Sequence, residues 1–248
     1  MAHFDFPHPV WDISIVQFFN QFCGKSVFLD TLALIFLTVD ALRTAILVAL
    51  IIGIWEYGKS KNDQTANKAV LSILLSIIIT LGTIEILNAV IDSPRPIVTY
   101  GSTMKAPIIN SDTKELWRSG WIRNPKHGSF PSDTVALLAA MAIGLFLWNR
   151  ILGTAAILFV LFAGILPRLY FGLHYPSDMM LGFIIALFST IMTNKIKIAD
   201  GLYKKILKLE KKYPYAFGVI GFYLAYIIAD KFILIRKLPV WIKTMLGH

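Results

Sequence analysis

The sequence predicts an all-α, polytopic membrane protein, and three observations lead there. Hydrophobic residues make up 56% of the 248 residues and charged residues 16%, against about 45–50% and about 25% in a soluble globular domain. The mean hydropathy is +0.65. Apolar residues gather in six runs, most of them near the roughly 20 residues that a helix needs to cross a bilayer. This balance excludes a disordered chain and a coiled coil, and it disfavours an ordinary soluble enzyme. The formal charge is +9. Many of the basic residues sit in one short stretch between apolar runs, which points to membrane topology rather than nucleic acid. One cysteine, Cys23, leaves no internal disulfide and no cysteine-built metal site. The N-terminus lacks the basic region and small-residue cleavage site of a signal peptide.

The elements follow in order. Residues 1–28 mix Trp11, Ile13, Val16, Phe18, Phe19 and Phe22 with polar groups, which suits a helix lying in the membrane interface. His3 and His8 fall in no recognisable pattern there. The first span, Leu32 to Trp55, is interrupted by Asp40 and Arg43. Charged residues inside a span are costly in lipid, so this pair should face the bundle, where its members can neutralise each other. The second span, Val70 to Ile91, carries Glu85 and Asn88. With Asp92 they form a polar stripe on one helix face. The stripe leads towards Arg95 and either lines a pocket with Arg43 or joins helices. The remaining spans are Ser132 to Trp148, Ile151 to Leu166, Met179 to Thr193 and Tyr215 to Ala229. Tilt or local thinning accommodates the short ones.

This organisation is one membrane domain over residues 1–248. It comprises an interfacial segment 1–28, a helical core 29–194, a basic loop 195–212, and a last helix with its tail, 213–248. The basic loop holds Lys195, Lys197, Lys204, Lys205, Lys208, Lys211 and Lys212. The positive-inside rule places it in the cytoplasm. Arg236, Lys237 and Lys243 in the tail oppose that assignment but are outnumbered. The N-terminus and the long loop 92–131 then face outward, in the inner or plasma membrane of a cell.

Polar residues cluster at the outward helix ends. These are Asp92-Ser93-Pro94-Arg95-Pro96, Ser129-Phe130-Pro131-Ser132-Asp133-Thr134, and the stretch from Pro167-Arg168 to His174-Tyr175-Pro176-Ser177-Asp178. Two guanidiniums can clamp a phosphate. A helix N-terminus offers N–H groups to an anion. A histidine oriented by a carboxylate can attack phosphorus. Phosphoryl transfer is mostly positioning and charge stabilisation, which these parts suit.

Arg168-x5-His174-x3-Asp178, preceded by Pro131-Ser132 and Ser93-Pro94-Arg95-Pro96, resembles the type-2 phosphatidic acid phosphatase superfamily over roughly residues 30–195. The resemblance implies an all-helical membrane core, metal-independent hydrolysis of lipid phosphates or diphosphates, no cofactor, and a phosphohistidine intermediate. It implies His174 as nucleophile, Asp178 as its orienting partner, and Arg95, Arg168, Ser132 and the N–H groups around Asp133 as phosphate binders. Three positions depart from the family pattern. Asn88 replaces a lysine, Pro167 replaces a serine, and Thr134 replaces the histidine that protonates the leaving oxygen. General-acid help is typically worth about 10²–10⁴ in rate, and threonine supplies none at neutral pH.

Three explanations of Thr134 are open. A diphosphate substrate has a leaving group that needs no acid, another residue such as His127 or Asp133 serves as acid, or the chain binds lipid phosphate without turnover. Trp117, Trp121 and Tyr100 in the long loop read as interfacial anchors. The sequence thus indicates a lipid phosphatase or phosphotransferase at the outer membrane face, with polyprenyl diphosphate, such as undecaprenyl diphosphate, favoured as substrate. Its partners are then membrane lipids, not nucleic acid. A non-catalytic lipid-phosphate binder is the alternative.

Overall fold

The computed structural model describes residues 4–39, 41–107, 129–195 and 198–230. Within them the chain is almost wholly helical. A two-residue strand β1 (Phe4–Asp5) precedes α1 (Val10–Asn20) and α2 (Val27–Thr38). A π-helical turn, Ala41–Ala45, leads into α3 (Ile46–Lys61). Then come α4 (Gln64–Val90), β2 (Ile91–Asp92) and α5 (Pro96–Thr99). The helix α6 spans Asp133–Trp148, and α7 spans Arg150–Tyr170. They are followed by α8 (Pro176–Lys195), α9 (Ile198–Lys212) and α10 (Pro214–Ala229). Strands β1 and β2 pair in parallel, Phe4 opposite Ile91 and Asp5 opposite Asp92.

The chain is a helical membrane protein. Helices α4, α7 and α8 are long and apolar enough to cross a bilayer, and α2 with the segment Leu42–Lys61 forms a bent pair that qualifies as one further span. Large apolar side chains stand exposed on their outer faces, among them Ile78, Ile86, Phe162 and Phe188. A surface of this kind is solvated by lipid rather than water. Two of the six expected spans, α6 and α10, are shorter apolar helices. In α6 the reason is its place at the centre. Every residue from Thr134 to Leu145 is buried, packed against α4, α7 and α8, so this helix meets protein along most of its length. Its alanines and Gly144 permit that close approach.

The first expected span is not one straight helix. Helices α2 and α3 are bent by 72° to each other. The last carbonyls of a helix have no intrahelical donor, and in a membrane they must be satisfied by protein. Arg43 does this: its Nη1 donates to the carbonyl of Phe36 and, at 2.6 Å, to that of Leu37. The guanidinium therefore bridges the break between α2 and α3. Asp40, expected to neutralise Arg43, lies outside the described residues.

The N-terminal segment contains a helix, and one face of it is docked. Asp12, Val16 and Asn20 of α1 are buried, against the end of α7 and the start of α8. Asn20 donates to the carbonyls of Tyr170 (2.8 Å) and Lys105 (3.2 Å) and accepts from the Lys105 N–H (2.6 Å). At the opposite end, α9 packs on α4 and α10, and Lys59 pairs with Glu210 at 2.7 Å.

Candidate active site

The ends of α4 and α7 and the starts of α6 and α8 converge. Backbone bonds join them: the Ser129 N–H donates to the Ser93 carbonyl and the Ser132 N–H to the Asp178 carbonyl, both at 3.1 Å. The Ile97 N–H donates to the Gly172 carbonyl at 2.8 Å. Two glycines permit this closeness. Gly172 turns the chain out of α7 at φ +62°, and a Cβ on Gly182 of α8 would lie 2.7 Å from the Ser132 carbonyl oxygen. All three polar stretches foreseen in the sequence are thereby brought together.

His174 sits at their centre, 4% exposed. Its Nδ1 lies 2.9 Å from the Ser129 carbonyl and 3.4 Å from Asp178 Oδ2. Both are acceptors, so Nδ1 carries the proton. Nε2 then presents its lone pair, and Arg95 Nη1 donates to it at 3.1 Å. The same Nη1 donates to the Leu173 carbonyl at 2.8 Å. Burial, followed by the positive charges of Arg95 and Arg168, holds the His174 imidazole well below the ordinary histidine range, against weaker opposition from Asp133 and the Ser129 carbonyl. The ring is thus neutral at neutral pH, with Nε2 the acceptor of the Arg95 bond. Asp178 Oδ2 also accepts from the Ser129 hydroxyl and, at 2.8 Å, from the Tyr175 N–H. Three donors fix that oxygen in place.

Arg168 is buried at the end of α7, and its Nη1 donates to the Gly164 carbonyl at 2.5 Å. Pro167 beside it supplies no N–H to the helix. The preceding turn is a π-helix, Val160–Ile165, a loosening often found at functional sites. Ser132 precedes α6 with its hydroxyl buried and without a hydrogen-bond partner among the described residues. Thr134 turns to its neighbour, donating to Asp133 Oδ1 at 3.1 Å. Asn88 is half-buried near the end of α4, its Oδ1 buried and without a hydrogen-bond partner among the described residues. Glu85 faces outward. His127, the other candidate acid, lies outside the described residues, as do Trp117 and Trp121. Among the described residues no group of three or more His, Cys, Asp and Glu side chains is placed to hold a metal ion.

Two residues join this site without a motif to announce them. Arg43 lies within electrostatic reach of Arg168 and Asp133, so a third guanidinium stands near them. The polar stripe of the second span had hinted at this. His8 had not been signalled at all: its Nε2 is 2.7 Å from Ser93 Oγ and its Nδ1 is 3.2 Å from Asp12 Oδ2.

A helical membrane core with a His–Asp pair, two buried arginines and a helix N-terminus at one end has the parts of a membrane-embedded phosphoryl-transfer protein. The chain belongs to the PAP2 superfamily, whose family model matches residues 69–199. It is similar to undecaprenyl-diphosphatase BcrC of Bacillus subtilis, with 24% identity over 188 residues covering 72% of this chain and 86% of that protein. The crystal structure of Aquifex aeolicus LpxE shares the fold, with a TM-score of 0.55 and 20% identity, covering 77% of this chain and 99% of that one.

Proposed function

We propose that this chain is a membrane lipid phosphatase that cleaves the terminal phosphate of a lipid diphosphate, with polyprenyl diphosphate the favoured substrate. One observation carries the reading: His174 is held at Nδ1 by two acceptors while Nε2 faces Arg95. Arg95 turns from Nε2 to the incoming phosphate, and the freed Nε2 lone pair attacks the terminal phosphorus. The bond from phosphorus to the bridging oxygen breaks, and the electron pair leaves with the lipid monophosphate. Arg95 and Arg168 hold the transferring phosphoryl group, joined by the Ser132 hydroxyl and the N–H groups at the start of α6. Asp178 orients the ring and stabilises the phosphoimidazolium. Water then attacks phosphorus, releasing orthophosphate and restoring neutral His174. A second lipid hydroxyl in place of that water makes the reaction a phosphotransfer. The guanidiniums supply the charge neutralisation, so the reading is metal-independent and needs no cofactor.

Thr134 favours the diphosphate. A departing phosphate is a better leaving group than a lipid alkoxide and needs less protonation. The second reading, a lipid-phosphate binder without turnover, draws on the same residue and on Asn88. It gives no role to a fixed His174–Asp178 pair. The seven lysines of residues 195–212 favour the non-cytoplasmic face of the inner or plasma membrane for the catalytic end. Cysteines introduced at positions 100–107 are then labelled by an impermeant thiol reagent in intact cells, and cysteines at 201–206 are not, in a Cys23-free background.

The test is phosphate release from a panel of lipid monophosphates and diphosphates by the purified protein, with and without His174→Ala. Release from a polyprenyl diphosphate that depends on His174 is expected. Binding without release by the wild type would select the second reading.

A further inference from the structure

The N-terminal segment closes over the rear of the His174–Asp178 pair and touches all three motif stretches. Strand β1 pairs with β2 just ahead of Arg95. Phe6 stacks on Phe130 with ring centroids 3.9 Å apart, and His8 stacks on Tyr175 at 3.6 Å. The His8 Nε2 contact with Ser93 reaches the first motif, and His8 Nδ1 lies 3.1 Å from Ser177 Oγ in the third.

Behind the nucleophile lie two carboxylates, Asp12 and Asp178, each fully buried. Asp12 is well bonded: Ser177 donates its N–H to Oδ1 at 2.9 Å and its hydroxyl to Oδ2 at 2.5 Å. Asp178 is asymmetric. Its Oδ2 takes three donors, while Oδ1 has no hydrogen-bond partner among the described residues. His8 Nδ1 lies 3.9 Å from Oδ1. Neighbouring buried carboxylates repel, and each is costly to bury without a donor. An imidazole N–H that bonds Asp12 at 3.2 Å and lies 3.9 Å from Asp178 Oδ1 offsets the repulsion between the two carboxylates, by a hydrogen bond to the first and by its dipole on the second.

We propose that His8 is a positioning residue of the active site, seating Asp178 and through it the His174 ring, so that the N-terminal segment is a fourth part of the machinery beside the three motifs. His8 does not touch substrate. It lies on the Nδ1 side of His174, whereas the attacking Nε2 faces Arg95. The proposal rests on His174 being the nucleophile.

The test compares three substitutions at His8, using phosphate release from a polyprenyl diphosphate in detergent. Asparagine places an amide N–H near the position of Nδ1, glutamine near that of Nε2, and alanine at neither. His8→Ala is expected to lower kcat about 10–100-fold with KM nearly unchanged, the scale on which small misplacement of a catalytic group acts. His8→Asn should recover most of that loss and His8→Gln should not. Thermal unfolding is measured on each variant, because a purely structural clasp would lower stability without separating Asn from Gln. Equal activity of the Asn and Gln variants, or wild-type kcat in His8→Ala, overturns the proposal. His174→Ala is assayed alongside. If it retains turnover, the phosphohistidine reading fails. If it is inactive while His8→Ala is unimpaired, only the role of His8 fails.

Discussion

The two sides of His174 differ in kind. On the Nδ1 side everything is fixed: the Ser129 carbonyl, Asp178 with three donors on one oxygen, and behind them Asp12, Ser177 and His8. On the Nε2 side stands Arg95, and Thr134 at the start of α6, a departure from the motif pattern the sequence resembles, turns instead to Asp133. In the proposed mechanism, the difference teaches that the parts presenting His174 are intact, while position 134, which would protonate the leaving group, has changed. That pattern fits a substrate with a good leaving group, and it does not fit general decay of the site.

The largest expected effect lies at the junction of the two sides. His174→Ala should lower hydrolysis of a polyprenyl diphosphate by about 10⁴-fold or more, as removal of a nucleophile does, while binding of the lipid in a direct assay persists. Asp178→Asn tests the fixed side alone. It leaves the imidazole but loses the carboxylate charge, and should cost about 10²–10⁴-fold in kcat. Arg95→Ala and Arg168→Ala test the proposed phosphate clamp. Each removes a charge-assisted partner of the phosphate and should lower kcat/KM by about 10–10²-fold. Wild-type kinetics in both arginine variants would misplace the phosphate site.

Thr134→His sharpens the comparison by restoring the family residue. Monophosphate hydrolysis should rise by up to about 10²-fold and diphosphate hydrolysis by less, narrowing the preference between them. The gain should fade at high pH as the new imidazolium loses its proton. The smallest effect concerns pH in the wild type and in Arg95→Ala. Burial and the two arginines depress the His174 pKa, and attack requires the neutral ring. Activity therefore falls only as pH drops below the ordinary histidine range. Removing the Arg95 charge makes the imidazolium less unfavourable, raises that pKa, and moves the acid limb of kcat/KM upward. An acid limb that stays in place would show that Arg95 does not set the charge state of His174.

The helices and the three motif stretches were legible in the sequence because both signals are local. Apolar runs set α4, α6, α7, α8 and α10, and motif spacing brought out Arg95, Ser132, Arg168, His174 and Asp178. The break between α2 and α3 was not legible. Asp40 and Arg43 read as a polar pair within one continuous span, and nothing in the sequence showed that Arg43 also reaches back to the carbonyls of Phe36 and Leu37 at a break. Only a packed structure shows which acceptors a long side chain will find. His8 was hidden for a related reason. It meets Ser177 across 169 positions and Ser93 across 85, and a lone histidine before an amphipathic helix carries no spacing to read. Thr134 was legible as a departure, but its turn towards Asp133 was not, because neighbouring side chains choose rotamers by their surroundings.

The most direct test is to trap the phosphoryl group on the protein. A polyprenyl diphosphate labelled in its terminal phosphate is mixed with purified protein and quenched during turnover, and the labelled peptide is mapped. The expected result is an acid-labile, alkali-stable phosphoryl group on the peptide bearing His174, absent from His174→Ala. Full turnover by His174→Ala, or label on another residue in the wild type, would contradict nucleophilic attack by His174.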